Sequence, residues 1–368
     1  MASEWKNVRA ADFIEFNPRL SIKKGAMATK IAMDKLQPFT KKVPAMEQAE
    51  YAGGTKFCNG DTIMARITPC LENGKTAFVD VLGDSEVAFG STEFIVLRAR
   101  PGVSDSQFVY YLATSPMFRN VAIKSMVGSS GRQRVQQGVL EELELTVPPL
   151  DEQKKIGAFL AALDQKIALN CKINDNLQQQ AQAIYASMFI ANADPAWTQG
   201  HLSDLITVKY GKDHKKLADG VYPVFGSGGI MRYVERPLYT GESVLIPRKG
   251  TLNNVMYVNE PFWSVDTMFF TEMKVPNVAK FVFHFVKAKD LASMNAGSAV
   301  PSMTTDILNA LELAIPPANR LAEFESAVAP MYQMMQANSR ESAKLAGLRD
   351  TLLPKLMTGE VDVSSIQF

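Results

Sequence analysis

The feature of this sequence that most constrains its fold is an internal repeat. Residues 143–149 read Leu-Glu-Leu-Thr-Val-Pro-Pro, and residues 311–317, 168 positions later, read Leu-Glu-Leu-Ala-Ile-Pro-Pro. Each copy predicts a short strand that ends at its proline pair, because proline cannot donate to a sheet ladder. A segment that recurs in this way indicates two copies of one structural unit.

A long helical pattern follows each proline pair, stepping by alternating intervals of four and three residues as a coiled-coil seam does. The first seam comprises Ile156, Leu160, Leu163, Ile167, Asn170, Asn174, Leu177, Ala181, Ile184 and Met188. The second, 168 residues later, comprises Phe324, Val328, Met331, Met335, Asn338, Ser342, Leu345, Arg349, Leu352 and Leu356. We predict two long helices that pair as a coiled coil; the alternative is an ordinary bundle core.

The polar seam positions bear on the direction of pairing. In an antiparallel register Asn170 faces Ser342 and Asn174 faces Asn338, which gives buried polar groups partners. A parallel register in step with the repeat also matches polar with polar, so the sequence leaves the direction open. We prefer the antiparallel register because each helix leads out of one globular domain.

Two residues of the second helix fit this register poorly. Arg349 would face the apolar Leu163, which is a defect in the predicted seam. Pro330 is expected to kink the helix or to delay its start.

The stretches that precede the helices mix strand and helix signals. We predict an α+β protein with two globular mixed α/β domains, separated by two long antiparallel helices in a coiled coil, with internal pseudo-two-fold symmetry. The predicted segments are a first globular domain at 1–148, a central helical region at 149–192, a second globular domain at 193–317 and a C-terminal helical region at 318–368.

The two globular stretches resemble each other weakly. Residues 60–66 and 241–248 each predict a turn, a buried strand and then an arginine, and residues 74–79 and 253–258 complete a hairpin in each half. Short helices are predicted at 106–114 and 278–288. Loops rich in glycine and serine follow them, at 128–133 and 295–298.

The sequence lacks recognisable catalytic motifs. The glycines at 226, 228 and 229 are not followed by the Lys-Ser/Thr of a phosphate-binding loop, and a Gly-x-Ser-x-Gly nucleophile motif is absent. Three cysteines and three histidines are scattered, so neither a disulfide framework nor a metal site is predicted. There is no run of 18 apolar residues and no signal-peptide pattern. We therefore expect a soluble, cytoplasmic protein that binds rather than catalyses.

Several loops carry side chains suited to double-stranded DNA, although the formal net charge of +1 counts mildly against nucleic acid. Arginine and lysine suit phosphates and guanine, whereas asparagine and glutamine suit adenine edges. The candidates in the first half are Arg66, Lys75, Ser129, Ser130, Arg132, Gln133 and Arg134. Those in the second half are Lys212, His214, Lys215, Lys216, Arg248, Lys249, Asn253 and Asn254. The alternative for each is a solvated charged surface, and Tyr210 and Phe225 are predicted to be core residues.

The organisation and several motifs resemble the specificity (S) subunit of type I restriction–modification enzymes. Residues 147–156 (Val-Pro-Pro-Leu-Asp-Glu-Gln-Lys-Lys-Ile) and 163–167 are similar to the central conserved region of that family. Residues 348–361 are similar to its C-terminal signature, and residues 264–269 to a stretch of its second recognition domain. The second helical region departs from the pattern, because residues 318–323 (Ala-Asn-Arg-Leu-Ala-Glu) replace the usual Leu-x-Glu-Gln run.

The resemblance implies a non-catalytic subunit in which each target-recognition domain reads one half of a split DNA site. The helices would set the unread spacer and dock two methyltransferase (M) subunits, which two restriction (R) subunits join. S-adenosylmethionine, ATP and Mg²⁺ would bind to these partners, so no cofactor is expected on this chain. The residues assigned to partner docking and to the coiled coil are Glu152, Gln153, Ile156, Leu160, Leu163, Ile167, Asn170, Asn174, Asn338, Ser342, Leu345, Leu352 and Leu356.

Three alternatives stay open from the sequence. One is a protein–protein scaffold with two peptide-binding domains and no DNA function. A second is an enzyme with an unrecognised site. The third is a specificity subunit of a modification-only defence complex that has no restriction partner.

Overall fold

The computed structural model describes residues 5–43, 45–294 and 302–366. The chain divides into two compact units, one formed by residues 1–171 and 339–368 and the other by residues 172–338. The boundary falls inside both long helices, so each unit combines a globular part with a portion of each helix. The loop predicted at 295–298 lies outside the described residues. Each unit mixes strands and helices, which confirms the α+β class.

The described residues of the first unit form ten strands and the start of the first long helix. Its elements are β1 (Lys6–Arg9), α1 (Ala10–Phe13), β2 (Ile14–Phe16), β3 (Met27–Ile31), a 3-10 turn (Met33–Lys35), β4 (Glu47–Glu50), β5 (Thr55–Phe57), β6 (Thr62–Ala65), β7 (Thr76–Phe78), β8 (Ala88–Gly90), β9 (Phe94–Ala99), α2 (Ser106–Thr114), α3 (Pro116–Lys124), α4 (Gln137–Glu141), β10 (Glu144–Val147) and α5 (Leu150–Ala186).

Three sheets make up the first unit. One has the order β2-β9-β6-β7 and is antiparallel throughout, and it includes the predicted hairpin of β6 and β7. A second has the order β4-β3-β8-β5, with β3 parallel to β8. The third pairs β1 with β10, so the strand before the proline pair is held by the beginning of the chain. Phe13, Met64 and Phe108 lie in the core that α2 and the first sheet share with α5.

The second unit repeats this plan. Its elements are a π-helical turn (Ser187–Ala191), β11 (Thr198–His201), α6 (Leu202–Leu205), β12 (Ile206–Tyr210), β13 (Asp219–Gly226), β14 (Gly229–Val234), β15 (Ser243–Pro247), β16 (Met256–Val258), β17 (Trp263–Ser264), β18 (Met268–Met273), α7 (Ala279–Lys287), α8 (Thr305–Asn309), β19 (Glu312–Ile315) and α9 (Ala318–Met357). A 3-10 turn (Val363–Ser365) follows α9 and belongs to the first unit.

Sheet topology shows that the repeat is much longer than the sequence indicated. The order β12-β18-β15-β16 matches β2-β9-β6-β7, and β13 is parallel to β17 as β3 is to β8. The elements β11, α6 and β12 each begin 192 residues after β1, α1 and β2, whereas β19 begins 168 residues after β10. The offset shrinks along the chain because the first unit has longer connections, and this hid the strand repeat from a search at one fixed offset.

Both proline pairs mark a change from strand to helix, as predicted. Strands β10 and β19 end at Val147 and Ile315, and α5 and α9 begin at Leu150 and Ala318. Helix α9 runs for 40 residues through Pro330, so the prediction that this proline delays the helix is wrong. The predicted short helices are confirmed as α2 and α7.

Contacts within each unit confirm that the helices pair antiparallel. In the first unit Asn170 Nδ2 donates to Ser342 Oγ (3.3 Å), and in the second Asn338 Nδ2 donates to Asn174 Oδ1 (2.8 Å). A parallel pair cannot form both contacts, because the residue numbers fall on one helix as they rise on the other. The seam residues Ile156 and Leu160 are buried in the first unit's core.

The expected seam defect at Arg349 is resolved by a residue beside the seam. Arg349 Nη1 lies 2.5 Å from Asp164 Oδ1, and these side chains are only 16% and 11% exposed. The other carboxylate oxygen of Asp164 accepts a hydrogen bond from the Tyr111 hydroxyl of α2 at 2.5 Å. One carboxylate therefore joins the two long helices and fastens α2 to them.

The second unit docks its corresponding helix with different chemistry. His284 is the sixth residue of α7, as Tyr111 is of α2, and it is fully buried. Its Nδ1 lies 2.7 Å from Gln182 Oε1, and its Nε2 lies 2.9 Å from the hydroxyl of Tyr332, which is the counterpart of Asp164. Burial, together with the charge of Lys287, lowers the pKa of His284 to about 4.

We predict that Asp164→Asn lowers the free energy of unfolding by about 3 kcal/mol, because it removes the buried carboxylate partner of Arg349 and leaves only the exposed carboxylate of Asp350 beside that charge. Urea unfolding followed by circular dichroism measures this. Asp175→Asn, at an exposed position of the same helix, is the matched control. Adding Arg349→Met should recover part of the loss, and a change no larger than that of the control would contradict the assignment.

We predict that the protein loses stability as the pH falls from about 6.5 towards 4, the ordinary and the lowered pKa of His284. As the pH falls, the unfolded chain binds a proton at His284 before the folded protein does. The free energy of unfolding therefore falls by roughly 3 kcal/mol across this window, and the full stabilising contribution is present above it. Unfolding measured at a series of pH values should show this component in the wild type and in His201→Gln. The component should disappear in His284→Gln, and its persistence there would count against the buried neutral imidazole.

Candidate nucleic-acid interface

Two of the candidate arginines occupy the same backbone position in the two units. Arg66 follows β6 and its N–H donates to Glu93 O at 2.9 Å; Arg248 follows β15 and its N–H donates to Thr267 O at 2.9 Å. Glu93 and Thr267 each precede the strand that lies beside the arginine's strand. The predicted pairing of basic residues at equivalent strand ends is therefore present for these two arginines.

The side chain of Arg66 is turned towards its own unit. Its Nη2 donates to Val135 O at 3.4 Å, and its Nε is buried with no hydrogen-bond partner among the described residues. Beside it, Arg134 Nη2 lies 2.6 Å from Glu93, and this hydrogen bond lowers the pKa of the Glu93 carboxyl. Lys75 is also occupied within the unit, because its ammonium donates to Met33 O at 3.0 Å.

The predicted glycine- and serine-rich loop of the first unit is anchored next to Arg66. Val127 and Arg134 exchange two backbone hydrogen bonds of 3.0 and 2.9 Å, and Thr68 N donates to the carbonyl of Gln133 at 3.0 Å. The left-handed φ of Gly131, 77°, allows the tight turn at the tip. Ser129, Ser130 and Arg132 are exposed at this tip.

In the second unit the half-buried Arg248 lies against an aromatic ring. Its guanidinium carbon is 5.4 Å from the centroid of the Tyr210 ring, and its Nη1 donates to Asp266 O at 3.2 Å. Tyr210 is 52% exposed, so the prediction that it is a core residue is wrong, whereas Phe225 is buried as predicted. Tyr210 is the last residue of β12, which is an edge strand of the four-stranded sheet.

The loop that follows Tyr210 presents exposed basic side chains. Lys212, Lys215 and Lys216 are exposed, and His214 is half-buried. Asp213 accepts the N–H of Lys215 at 3.0 Å, which forms a turn and lowers the pKa of that carboxyl. Lys249 is exposed in the loop after β15, next to Arg248.

The two candidate asparagines are occupied within their unit. Asn253 Nδ2 donates to Asp290 at 3.1 Å, and its Oδ1 accepts from Ala292 N at 3.0 Å. Asn254 Nδ2 donates to Ser227 O at 2.8 Å. These amides join loops of the fold, so their predicted contact with adenine edges has no structural support.

Sequence reasoning missed the basic loop of the first unit. Lys23 and Lys24 are exposed in the connection after β2, 192 residues before Lys215 and Lys216 in the connection after β12. Arg19 is exposed in the same connection. The 192-residue offset, which also relates β1 to β11, would have revealed the pair.

The residues assigned to partner docking at the start of α5 contact their own unit. Gln153 is 2% exposed; it accepts from Asp105 N and donates to the carbonyls of Val103 and Pro148. Trp5 Nε1 donates to Glu152 at 3.4 Å. The exposed side chains of this turn are Asp151, Lys154 and Lys155.

In residues 5–43, 45–294 and 302–366, no three His, Cys, Asp or Glu side chains are grouped so that they could hold a metal ion. Within those ranges no helix has both the length and the apolar character needed to cross a bilayer.

Two similar α+β units, each containing a portion of both long helices and each with basic side chains in the loops that follow its sheet strands, define a class of duplicated binding proteins. A family model described as the type I restriction modification DNA specificity domain matches residues 2–179 and 196–321. The chain therefore belongs to the family of type I restriction–modification specificity subunits, in which DNA recognition is the family function. This confirms the resemblance stated from the sequence.

Curated relatives and a solved structure agree with this membership. The chain is 36% identical over 104 residues to the Escherichia coli EcoAI specificity subunit. This match covers 28% of this chain and 18% of the EcoAI subunit. It is 22% identical over 304 residues to the MjaIX specificity subunit of Methanocaldococcus jannaschii, covering 71% and 70%. The crystal structure of the S subunit from M. genitalium has the same fold, with a TM-score of 0.60, 18% identity and 96% coverage of both chains. The matched part of the chain therefore spans less than a fifth of the length of the EcoAI subunit.

Proposed function

We propose that this chain is the non-catalytic DNA specificity subunit of a type I restriction–modification complex, and that each unit reads one half of a bipartite duplex site. The observation that carries this proposal is the recurrence of one surface in both units. In each, a loop with two adjacent exposed lysines follows the first strand of the four-stranded sheet, and an arginine follows the third strand.

The chemistry of these loops suits a duplex. Exposed lysines on short loops contact phosphates and place the reader without regard to sequence, whereas side chains between them contact base edges. In the first unit Lys23, Lys24 and the tip of the 127–134 loop fill these roles. In the second unit they fall to Lys212, Lys215, Lys216 and Lys249.

The catalytic steps belong to other subunits of the complex. Two methyltransferase subunits dock on the helices and bind S-adenosylmethionine, and two restriction subunits bind ATP and Mg²⁺ in the cytoplasm. The docking surface on α5 comprises the exposed residues Asp151, Lys154 and Lys155. Gln153 is buried in its own unit and is not part of that surface. Family membership and these exposed charges support the assignment.

The length of α5 and α9 sets the number of unread base pairs. The helices contain 37 and 40 residues. At 1.5 Å per residue this is about 55–60 Å, and readable faces of one groove recur about every 34–36 Å along a duplex.

We predict that duplicating residues 163–169 together with their antiparallel partners 343–349 lengthens the unread spacer by about three base pairs, since seven residues add roughly 10 Å. Sequencing of methylated sites in cells that express the variant and its methyltransferase subunit gives the spacer directly. Seven residues inserted into the 192–196 connection serve as the control and should leave it unchanged. An unaltered spacer in the helix variant would refute the proposal that helix length sets the number of unread base pairs.

We predict that duplex binding by the full chain weakens steeply with salt and that the two lysine pairs contribute equally. Each double variant, Lys23→Ala with Lys24→Ala or Lys215→Ala with Lys216→Ala, should reduce the slope of log K against log salt by about 1.8, at roughly 0.9 per phosphate contact. Fluorescence anisotropy with a labelled duplex measures the slope. Lys274→Ala, beyond the other end of β18, should leave it unchanged. Absence of salt-dependent duplex binding by the wild type would favour a peptide-binding scaffold.

A further inference from the structure

We propose that Arg248 reads a guanine in the half-site of the second unit and that Tyr210 is its positioning residue. This assignment rests on the proposed DNA-reading function. It also assigns different roles to the two arginines at equivalent backbone positions: Arg66 has a structural role and Arg248 reads a base.

The backbone of Arg248 is fixed, and its half-buried side chain bonds to the exposed residue Asp266. Its N–H donates to Thr267 O, and its carbonyl accepts from Met303 N, both at 2.9 Å. Among the described residues, one hydrogen bond from the guanidinium is found, to Asp266 O at 3.2 Å. A guanidinium has five N–H donors, so an edge with two parallel donors is left for a ligand.

Tyr210 restricts the plane in which that edge can lie. Its ring is 5.4 Å from the Arg248 guanidinium carbon, and it packs edge-on against Phe269 with centroids 5.1 Å apart. The buried Phe269 supports the tyrosine ring that the guanidinium contacts. A cation–π contact of this kind restricts the planar fork, which lowers the entropy lost when both donors bind at once.

The ligand follows from the donor geometry. Two parallel N–H groups match the O6 and N7 acceptors of guanine in the major groove, whereas adenine offers one acceptor and one donor there. Lys212, two residues after Tyr210, and Lys249, next to Arg248, are exposed, and such side chains suit contacts with flanking phosphates. The Lys212 backbone is itself fixed, because its N–H donates to Ser264 O and its carbonyl accepts from Trp263 Nε1, both at 2.8 Å.

Arg66 lacks these features although its backbone contacts are the same. Its Nε is buried and its Nη2 donates to Val135 O, so the fork faces the protein. In the first unit the position 192 residues before Tyr210 is Pro18. This proline is buried and has no aromatic ring for a guanidinium to contact.

The test is selection of duplexes from a random-sequence pool by the full-length chain, followed by sequencing of the bound fraction. Arg248→Ala should reduce the preference for guanine at one position of one half-site by about 10- to 100-fold and leave the other half-site unchanged. Arg248→Lys should lose the preference as well, because an ammonium cannot form the bidentate contact. Tyr210→Phe keeps the ring and should retain the preference, whereas Tyr210→Ala should weaken it. Lys274→Ala should retain both half-sites.

Three results would overturn the assignment. Arg248→Ala and Arg248→Lys that both select the wild-type site would show that the arginine reads no base. Loss of the preference in Tyr210→Phe, or its full retention in Tyr210→Ala, would remove the ring as the positioning group. A wild-type chain that enriches no sequence would refute the proposed function itself, and the assignment with it, whereas a wild type that enriches a bipartite site leaves the function intact whatever the variants do.

Discussion

The polar contacts in the middle of the helix pair fix the structure of both units. Apolar seam positions can slide by a heptad at small cost, but Asn170 opposite Ser342 and Asn174 opposite Asn338 have partners in one register only. The Asp164–Arg349 pair adds a charge that slippage would strand. Because β10 and β19 run directly into these helices through the proline pairs, the register also determines which surface of each helix its globular part can cover.

Much of the backbone plan could be predicted from sequence. The double prolines locate both strand-to-helix changes to within a residue or two, and periodicity finds α2, α7 and the two long helices. The polar residues did not fix the direction of the helix pair, because the repeat makes them coincide in either direction. The antiparallel prediction rested instead on each helix leading out of one globular domain, and the structure confirms it. The partner of Arg349 was missed because Asp164 is one position off the seam and Tyr111 lies 53 residues earlier in the chain.

Candidate site residues were harder to predict than the fold. The backbone equivalence of Arg66 and Arg248 followed from similar strand-and-turn patterns, yet Arg66 donates to Val135 O whereas Arg248 contacts the ring of Tyr210. Asn253 looked like a base reader by residue type, but its amide joins two loops. Residue type predicts what a side chain can bind, and only the three-dimensional surroundings show whether it is already bound.

The different docking chemistry of the two globular parts has a consequence for recombination. A carboxylate receives Tyr111 in one unit, and a phenol receives His284 at the same helical position in the other. If the globular parts exchanged places within the chain, two phenols would meet at one helix and an imidazole would face an aspartate and an arginine at the other. The duplicated halves have thus ceased to be interchangeable modules, and shuffling should succeed with the same half of a relative rather than with the opposite half of this chain.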